Sequence, residues 1–235
     1  GFAPVENDAE LVEACDNMGV LYLKEEAVLE DNPPIKLKNN WFTRQFEVFT
    51  EMYGAPVYAE FDPTPIVAPF YLLFFAMCMG DAGYGLILIL LGIAVAKKWI
   101  NIAMLKNIGP IISILGAGTF AIGLVLGTAF GIDLSAAEWY PQAMKKIMIT
   151  GTIAGFPAQM ILALGIGIFH ICLAMTVKAI GYTKRFGFRE TVSVWGWLLL
   201  IVGGIATAAL GMVKLVSPDV IKWIVIVIGV VSALG

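Results

Sequence analysis

Two ionisable side chains lie within long apolar stretches of the sequence, where a charged group could guide an ion. Asp81 belongs to the hexapeptide GDAGYG, which interrupts one apolar run, and His170, the single histidine, lies inside another. A carboxylate inside a bilayer costs free energy, so its presence there usually serves a function. An imidazole exchanges a proton near neutral pH and can relay protons. Asp81 and His170 are therefore candidates for an ion path or for buried polar contacts.

Each candidate also has a purely structural interpretation. Asp81 could accept backbone N–H groups at the start of a following helix, and the glycines around it would permit a turn and close backbone contact. His170 could be a neutral histidine that is hydrogen-bonded to a neighbouring helix. Both interpretations stay open at this point. We expect the turn itself to be a structural motif formed by Gly80, Gly83, Tyr84 and Gly85.

The rest of the sequence carries no recognisable catalytic or metal-binding pattern. Cys15, Cys78 and Cys172 are far apart and odd in number, which predicts free thiols rather than a disulfide framework or a metal site. The GDAGYG glycines lie in an apolar run rather than after a strand of a soluble domain, so a nucleotide-binding loop is not expected. We therefore predict no catalytic residue, no metal and no cofactor.

The composition divides the chain into two regions that suit different solvents. Hydrophobic residues make up 59% of the 235 residues and charged residues 14%, with a mean hydropathy of +0.85. Residues 1–62 hold 13 of the 18 acids and four bases, a net charge of −9, whereas residues 63–235 carry a net charge of +6. An acidic head would repel nucleic acid. The composition indicates a polytopic membrane protein with a polar N-terminal region.

The predicted fold is mainly α: a polytopic transmembrane helix bundle preceded by the tail of a cytoplasmic α/β subdomain. Residues 1–62 are expected to form the end of the cytoplasmic head with a linker and an amphipathic helix, which could lie at the membrane interface or pack on the head. The expected elements of this region are a strand at Phe2–Val5, a helix capped by Asn7 or Asp8 and stopped at Gly19, a strand at Val20–Leu23, a linker over 25–40 and an amphipathic helix over Trp41–Tyr53.

Residues 63–235 are predicted to form a membrane domain with about six helical spans. The first two apolar segments are too long to be one span of the ~30 Å hydrocarbon core and too short to be two full spans. We expect a tight helical hairpin that turns at Asp81, with either a thinned bilayer or a protein cover over the turn. The expected spans are 66–79, 82–96, 108–130, 156–177, 192–212 and 220–235.

Glycines in the third predicted span recur at steps of seven, four and four residues, which places them on one helix face. Small residues at such spacing let helix backbones approach closely. The predicted packing residues are Gly116, Gly123, Gly127 and Gly131.

The basic residues predict an orientation for the membrane domain. With a cytoplasmic head and a hairpin of two crossings, the cytoplasmic loops are 97–107 and 178–190, which carry three and four bases. The outer loops, 131–155 and 213–222, carry two each. This distribution agrees with the positive-inside rule, and it favours the hairpin over a single crossing.

A series of residues stands in the order seen in one protein family. These residues are Pro33-Pro34, Asn39-Asn40, Phe42-Thr43, Phe46, Tyr53-Gly54, Tyr58, Glu60, Pro63, Pro69-Phe70, Phe75 and GDAGYG. The chain resembles the large membrane stator subunit of rotary V/A-type ATPases, called subunit a in eukaryotes and subunit I in bacteria and archaea. Tyr84, where eukaryotic members have histidine, favours a prokaryotic source and a plasma membrane. Gly1–Pro4 and the segment from Gly167 to His170 also resemble family segments.

The resemblance implies a non-catalytic subunit of an ATP-driven ion pump or ATP synthase. Its expected partners are a rotating proteolipid ring, peripheral-stalk subunits, central-stalk and ATPase subunits and the lipid bilayer. It would form part of a proton or sodium pathway beside the ring. An arginine that releases the ion from the ring carboxylate is implied on a later span, and since no arginine follows Arg189, we expect it beyond Gly235. This chain would then be the scaffold half of the membrane domain.

A secondary transporter is the alternative. The broken apolar segment at Asp81 would then be a discontinuous helix at a substrate site.

Overall fold

The computed structural model describes residues 1–31, 33–54, 56–57, 60–100, 108–153, 155–212 and 218–233. Tyr58, Lys106 and Lys214 of the sequence predictions lie outside these residues. The chain divides into two compact units, one comprising Gly1–Leu124 with Thr128–Ile132 and the other Val125–Gly127 with Asp133–Gly235. Helices dominate both units, which confirms the mainly α prediction.

The first helix of the N-terminal region is α1, over Asp8–Met18, and 3-10 turns lie at Val5–Asn7 and Leu29–Asp31. Gly19 ends α1 in the left-handed region at φ 65°, as the sequence predicts. The strands predicted at Phe2–Val5 and Val20–Leu23 are wrong. Among the described residues neither segment pairs with another strand, and an extended segment without a ladder partner is not a strand.

The predicted amphipathic helix is two short helices, α2 over Trp41–Arg44 and α3 over Glu47–Tyr53. Asn40 caps α2, since its Oδ1 accepts from the backbone N–H of Thr43 at 2.8 Å. Phe46, between the two helices, is 1% exposed and forms the centre of a hydrophobic core. Phe42, Phe46 and Phe49 therefore pack on protein, against apolar helices of the same unit. Trp41, Met52 and Tyr53 are exposed, so the expected position at a membrane interface stays a prediction.

Three apolar helices follow in the first unit. α4 comprises Thr64–Met79, α5 comprises Ala82–Ala96 and α6 comprises Gly109–Leu126. At ~1.5 Å per residue, α4 and α5 are about 24 and 22 Å long, each short of a ~30 Å hydrocarbon core. α6 ends four residues before the predicted limit of 130, because Gly127 takes a left-handed φ of 77°.

The predicted hairpin of α4 and α5 is confirmed by how each packs on α6. Ala68 of α4 shares a core cluster with Ile111 of α6. Farther along, a Cβ added at Gly118 would lie 2.6 Å from Leu72 Cδ1 and 3.6 Å from Ala76 Cβ, so α4 and α6 advance in the same direction. The contacts of α5 with α6, given below, run in the opposite direction. α4 and α5 are therefore antiparallel.

The second unit contains the remaining long helices. The short strand β1 (Thr128–Ala129) still belongs to the first unit, and β2 comprises Ile132–Asp133. The chain then forms α7 (Gln142–Lys145), β3 (Thr152–Ile153), β4 (Phe156–Pro157), α8 (Ala158–Phe186), a 3-10 turn (Arg189–Thr191), α9 (Val192–Met212) and α10 (Pro218–Ala233). β3 and β4 pair in antiparallel register. α8 continues nine residues past the predicted end at 177, since the basic residues that follow are good helix formers. α9 has the predicted bounds.

Three helices of the described chain are long and apolar enough to cross a membrane: Gly109–Leu126, Ala158–Phe186 and Arg189–Thr207. Three shorter apolar helices accompany them, at Thr64–Met79, Ala82–Ala96 and Val220–Val230. The six predicted spans thus correspond to six apolar helices, of which half have full spanning length.

The core around Phe46 gives the first testable prediction. Phe46→Ala should destabilise the protein by about 3–5 kcal/mol, because it leaves a cavity where α2, α3, α4 and α6 meet. The measurement is the thermal unfolding midpoint of the purified full-length protein. Trp41→Ala is the matched control, since Trp41 is 70% exposed and should change the midpoint little. Equal shifts for the two variants would contradict the role assigned to this core.

Candidate functional site at the Gly80–Gly85 turn

The turn between α4 and α5 occupies only two residues. Gly80 ends α4 with φ 57°, and its N–H donates to the Ala76 carbonyl at 2.8 Å. A left-handed conformation at this point favours glycine, which has no Cβ to clash with the following carbonyl. Asp81 is extended, with φ −134° and ψ 120°, and α5 begins at Ala82. The sequence Gly-Asp therefore both stops one helix and starts the next.

The Asp81 carboxylate is buried, 6% exposed, and both of its oxygens are bound by the backbone. Oδ1 accepts from the N–H of Tyr84 at 3.1 Å and from the N–H of Phe130 at 2.8 Å. Oδ2 accepts from the N–H of Gly131 at 2.8 Å. We call these three hydrogen bonds the Asp81 anchor. One bond caps α5, and the other two hold the loop that follows α6.

The loop is shaped to present its N–H groups to the carboxylate. Phe130 and Gly131 are both left-handed, with φ of 52° and 73°. Phe130 takes this conformation at a cost of about 1–2 kcal/mol, since it carries a Cβ. The hydrogen bond from its N–H to a buried charge offsets that cost. From the same loop, the Thr128 hydroxyl donates to the Gly80 carbonyl, so loop and turn are joined in both directions.

The remaining motif residues provide the space for this contact. A Cβ at Gly83 would lie 2.5 Å from the Phe130 ring, and a Cβ at Gly85 would lie 2.3 Å from the backbone nitrogen of Phe120. The rings of Tyr84 and Phe130 meet edge to face, with centroids 6.0 Å apart. Gly83 and Gly85 of the motif therefore lie where another residue's atoms would collide with a side chain.

α5 and α6 approach each other so closely that side chains cannot separate them. A Cβ added to any of five glycines would lie between 2.1 and 2.7 Å from a backbone nitrogen of the other helix. The contact residues alternate at steps of three and four along each helix, and they run in opposite directions. We call this contact the glycine seam. It consists of Ala82, Gly85, Ile89, Gly92 and Ala96 of α5 against Gly123, Phe120, Gly116, Ser113 and Gly109 of α6.

The structure corrects the predicted set of packing glycines. Gly116 and Gly123 lie in the seam. Gly127 and Gly131 follow the end of α6 at Leu126 and have positive φ, so they are turn residues and not part of a helix face. The sequence reasoning missed glycines that do lie in the seam, although they were detectable because both helices repeat glycine at a step of seven. The missed residues are Gly85, Gly92 and Gly109.

His170 lies near the middle of α8, partly exposed, in the second unit, whereas Asp81 lies in the first. In the same unit as His170, the Gln159 amide donates to the Leu126 carbonyl at 3.2 Å, at the end of α6. Within the described residues, no group of three or more His, Cys, Asp or Glu side chains could hold a metal ion. The geometry of Asp81 is that of a carboxylate anchored to backbone.

Comparison with known proteins places this turn in a family. A model of the V-type ATPase 116kDa subunit family matches residues 7–130, more than half of the chain, including the whole hairpin and α6. The chain belongs to this family.

Individual members show the same relationship. The chain is 27% identical over 221 residues to A-type ATP synthase subunit I of Methanocaldococcus jannaschii, which covers 84% of this chain and 31% of that protein. It is 34% identical over 181 residues to A-type ATP synthase subunit I of Pyrococcus horikoshii, covering 74% and 26%. For V-type ATP synthase subunit I of Borreliella burgdorferi the identity is 26% over 209 residues, covering 86% and 34%. The chain thus spans about a third or less of the length of these relatives.

The Asp81 anchor predicts a specific cost for removing one carboxylate oxygen. Asp81→Asn replaces an acceptor by an NH2 group that faces backbone N–H donors. We expect the free energy of unfolding of the full-length protein to fall by about 2–3 kcal/mol. Asp133→Asn is the matched control in the next loop. Asp133 is exposed, and hydrogen bonds from the Ser135 hydroxyl and backbone N–H hold the pKa of Asp133 below its ordinary value. If Asp81→Asn proved as mild as Asp133→Asn, the anchor would not stabilise the fold.

The close backbone contact in the glycine seam predicts that a single methyl group added there destabilises the protein. Gly123→Ala should lower the unfolding midpoint sharply, since its Cβ would lie 2.1 Å from the backbone nitrogen of Ala82 and would push α5 and α6 apart. Gly165→Ala, in α8, is the control. An added Cβ there meets nothing within 4 Å, and alanine favours helix by up to about 1 kcal/mol. The measurement is the unfolding midpoint of each variant, and a stable Gly123→Ala protein would show that the helices separate easily.

Proposed function

We propose that this chain is part of the stator subunit of a V/A-type ion-translocating rotary ATPase, where it forms part of a proton or sodium pathway beside the rotating ring. The observation that carries the proposal is the family match, because it contains the hairpin, the glycine seam and most of the Asp81 anchor. The relatives are named as subunit I of A-type or V-type ATP synthases. The subunit itself would be non-catalytic.

We assign the first unit a scaffold role within that pathway. A group that exchanges an ion must have a free oxygen or nitrogen to offer, but both oxygens of Asp81 accept backbone hydrogen bonds. A stator subject to torque from a rotating ring needs helices that do not slide. Direct backbone contact along the glycine seam supplies that rigidity, because interdigitated backbones have no flexible side chains between them.

The proposed partners are the proteolipid ring, the peripheral stalks and the central-stalk and ATPase subunits of one complex. The proposed location is a prokaryotic plasma membrane, with residues 1–62 in the cytoplasm as the head and residues 63–235 in the bilayer. The charge bias supports this orientation, since four bases lie within 178–190 and two within 131–155. His170 remains a candidate for a buried polar contact or an ion path in α8.

The secondary-transporter alternative gains no support. Its substrate site would need unsatisfied polar groups at the helix break. At Gly80–Asp81 the carboxylate and the Gly80 carbonyl are instead satisfied by the chain itself.

Affinity purification of the tagged full-length protein from its own membranes tests the proposal. We expect a proteolipid ring and soluble ATPase subunits to co-purify in fixed proportion, since a stator binds both. A solitary oligomer that binds a small solute would overturn the proposal.

The same purification, carried out with a variant of Asp81, tests the scaffold role. With Asp81→Asn, the yield of assembled complex should fall, while ATP-driven ion pumping per assembled complex should stay near that of the unmodified protein. Normal assembly with lost pumping would instead make Asp81 part of the ion path.

A further inference from the structure

Basic residues are concentrated at the C-terminal end of α8 and in the turn that follows. We call this set the basic end of α8; it consists of Lys178, Lys184, Arg185 and Arg189. All four residues are exposed, and between residues 178 and 191 they are accompanied by one acid, Glu190. The segment therefore carries a net charge of +3. It lies wholly within the second unit.

The length of α8 places these charges at a defined depth in a bilayer. From Ala158 to Val177 the helix has twenty residues without Asp, Glu, Lys or Arg. At ~1.5 Å per residue they extend about 30 Å, the thickness of the hydrocarbon core. Lys178 therefore lies where the core ends. The last turns, to Phe186, extend ~13 Å farther, through the headgroup layer of ~5–7 Å on that side and just beyond it.

Aromatic rings next to the cations support this depth. Lys178 Nζ lies 5.5 Å from the centroid of the Tyr182 ring, and the Arg185 guanidinium lies 5.3 Å from that of Phe186. Lys178, Tyr182 and Arg185 follow each other at steps of four and three, so they share one helix face. Tyr182 and Phe186 are 46% and 52% exposed. Tyrosine beside a cation, as at Tyr182 and Lys178, is typical of the interface between hydrocarbon and headgroups.

A network of hydroxyl groups fixes the turn that carries the fourth base. The Thr183 and Thr191 hydroxyls are 3.0 Å apart, and Trp195 Nε1 donates to the Thr183 hydroxyl at 2.9 Å. The Thr191 hydroxyl also donates to the Gly187 carbonyl at 3.0 Å, and Thr191 is fully buried. Arg189 precedes Thr191 by two residues in the same 3-10 turn. The backbone positions of the four bases are thus fixed before any ligand arrives, which lowers the entropy lost on binding.

We propose that the basic end of α8 is a binding site for the phosphate group of an anionic membrane lipid. The site has positive charge, guanidinium and ammonium donors, and a position that starts in the headgroup layer and ends just outside it, all of which suit a lipid phosphodiester. The neighbouring apolar surface of α8 would contact the acyl chains. This site is additional to the proposed stator function and does not depend on it, because it requires only that α8 crosses a bilayer.

Local photo-crosslinking of lipid tests the site. The full-length protein, purified with the subunits that accompany it, carries benzoylphenylalanine in place of Phe186, an aromatic replacement at the site. It is reconstituted in nanodiscs of equal parts phosphatidylglycerol and phosphatidylcholine. Mass spectrometry then gives the ratio of the two lipids captured. The lipids have similar chains, so the ratio reports the headgroup.

We expect phosphatidylglycerol to be captured in preference, and the preference to weaken as the salt concentration rises. The double variant Lys178→Gln with Arg185→Gln removes two cations and should lower the captured ratio by at least about fivefold, the effect expected for the loss of one cation at the membrane surface. The charge-conserving double variant Lys178→Arg with Arg185→Lys should retain most of the preference for phosphatidylglycerol. The matched control, Lys145→Gln with Lys146→Gln, removes the same charge elsewhere and should leave the ratio unchanged.

Three outcomes would overturn the proposal. The first is a captured ratio near one in the unmodified sequence. The second is an equal loss in the Lys145/Lys146 control, which would show an effect of net charge alone. The third is crosslinking of residue 186 to an acidic protein subunit in place of lipid, which would make the basic end a protein interface. If the stator partners did not co-purify, the stator proposal would fail but the crosslinking result would still apply to the lipid site. The two proposals are therefore tested separately.

Discussion

The first unit depends on one buried carboxylate whose two oxygens bind backbone N–H groups from two parts of the chain. Burying a charge is costly unless hydrogen bonds replace its hydration. Asp81 receives three such bonds, each worth about 1.5–3 kcal/mol to a charged group. Because one bond comes from α5 and two come from the loop after α6, the desolvation cost is met only when both elements are in place. The carboxylate thereby links the hairpin to the third helix.

The glycine seam imposes a matching geometric condition. Backbones that touch at five levels favour one register, since a shift that put a side chain in place of Gly85 would set its Cβ 2.3 Å from the Phe120 backbone nitrogen. The anchor lies at one end of this seam, where Gly123 meets the start of α5. Correct register brings Phe130 and Gly131 to Asp81, and the hydrogen bonds to Asp81 in turn hold the register. The packing of α5 on α6 and the hydrogen bonds to Asp81 therefore support the same arrangement. Such agreement between packing and hydrogen bonding is how a sequence specifies one structure.

The elements of the fold were predictable where local chemistry decides them. The apolar runs predicted the helices, Gly19 predicted the end of α1, and Gly80-Asp81 predicted the hairpin turn. The errors arose where the structure of a segment depends on contacts with residues distant in the sequence. Val20–Leu23 has strand-forming side chains but no strand to pair with among the described residues, and Phe46 looked like part of a membrane-surface helix until its neighbours on α4 and α6 were known. For Asp81 the sequence offered a cap as one of two interpretations. The two donors about fifty residues away depend on left-handed backbone that no propensity reveals at Phe130.

The shortness of α4 and α5 explains why the turn needs a cover. Helices of about 24 and 22 Å would leave their connecting residues below the surface of a ~30 Å hydrocarbon core, where water cannot satisfy backbone groups. Irregular backbone is tolerated at such depth only when protein surrounds it. The loop after α6 provides that protein: Thr128 satisfies the Gly80 carbonyl, and the Phe130 ring lies over Gly83. A longer hairpin could end in water and would not need the Asp81 anchor, so the buried aspartate of the motif follows from the length of the helices it joins.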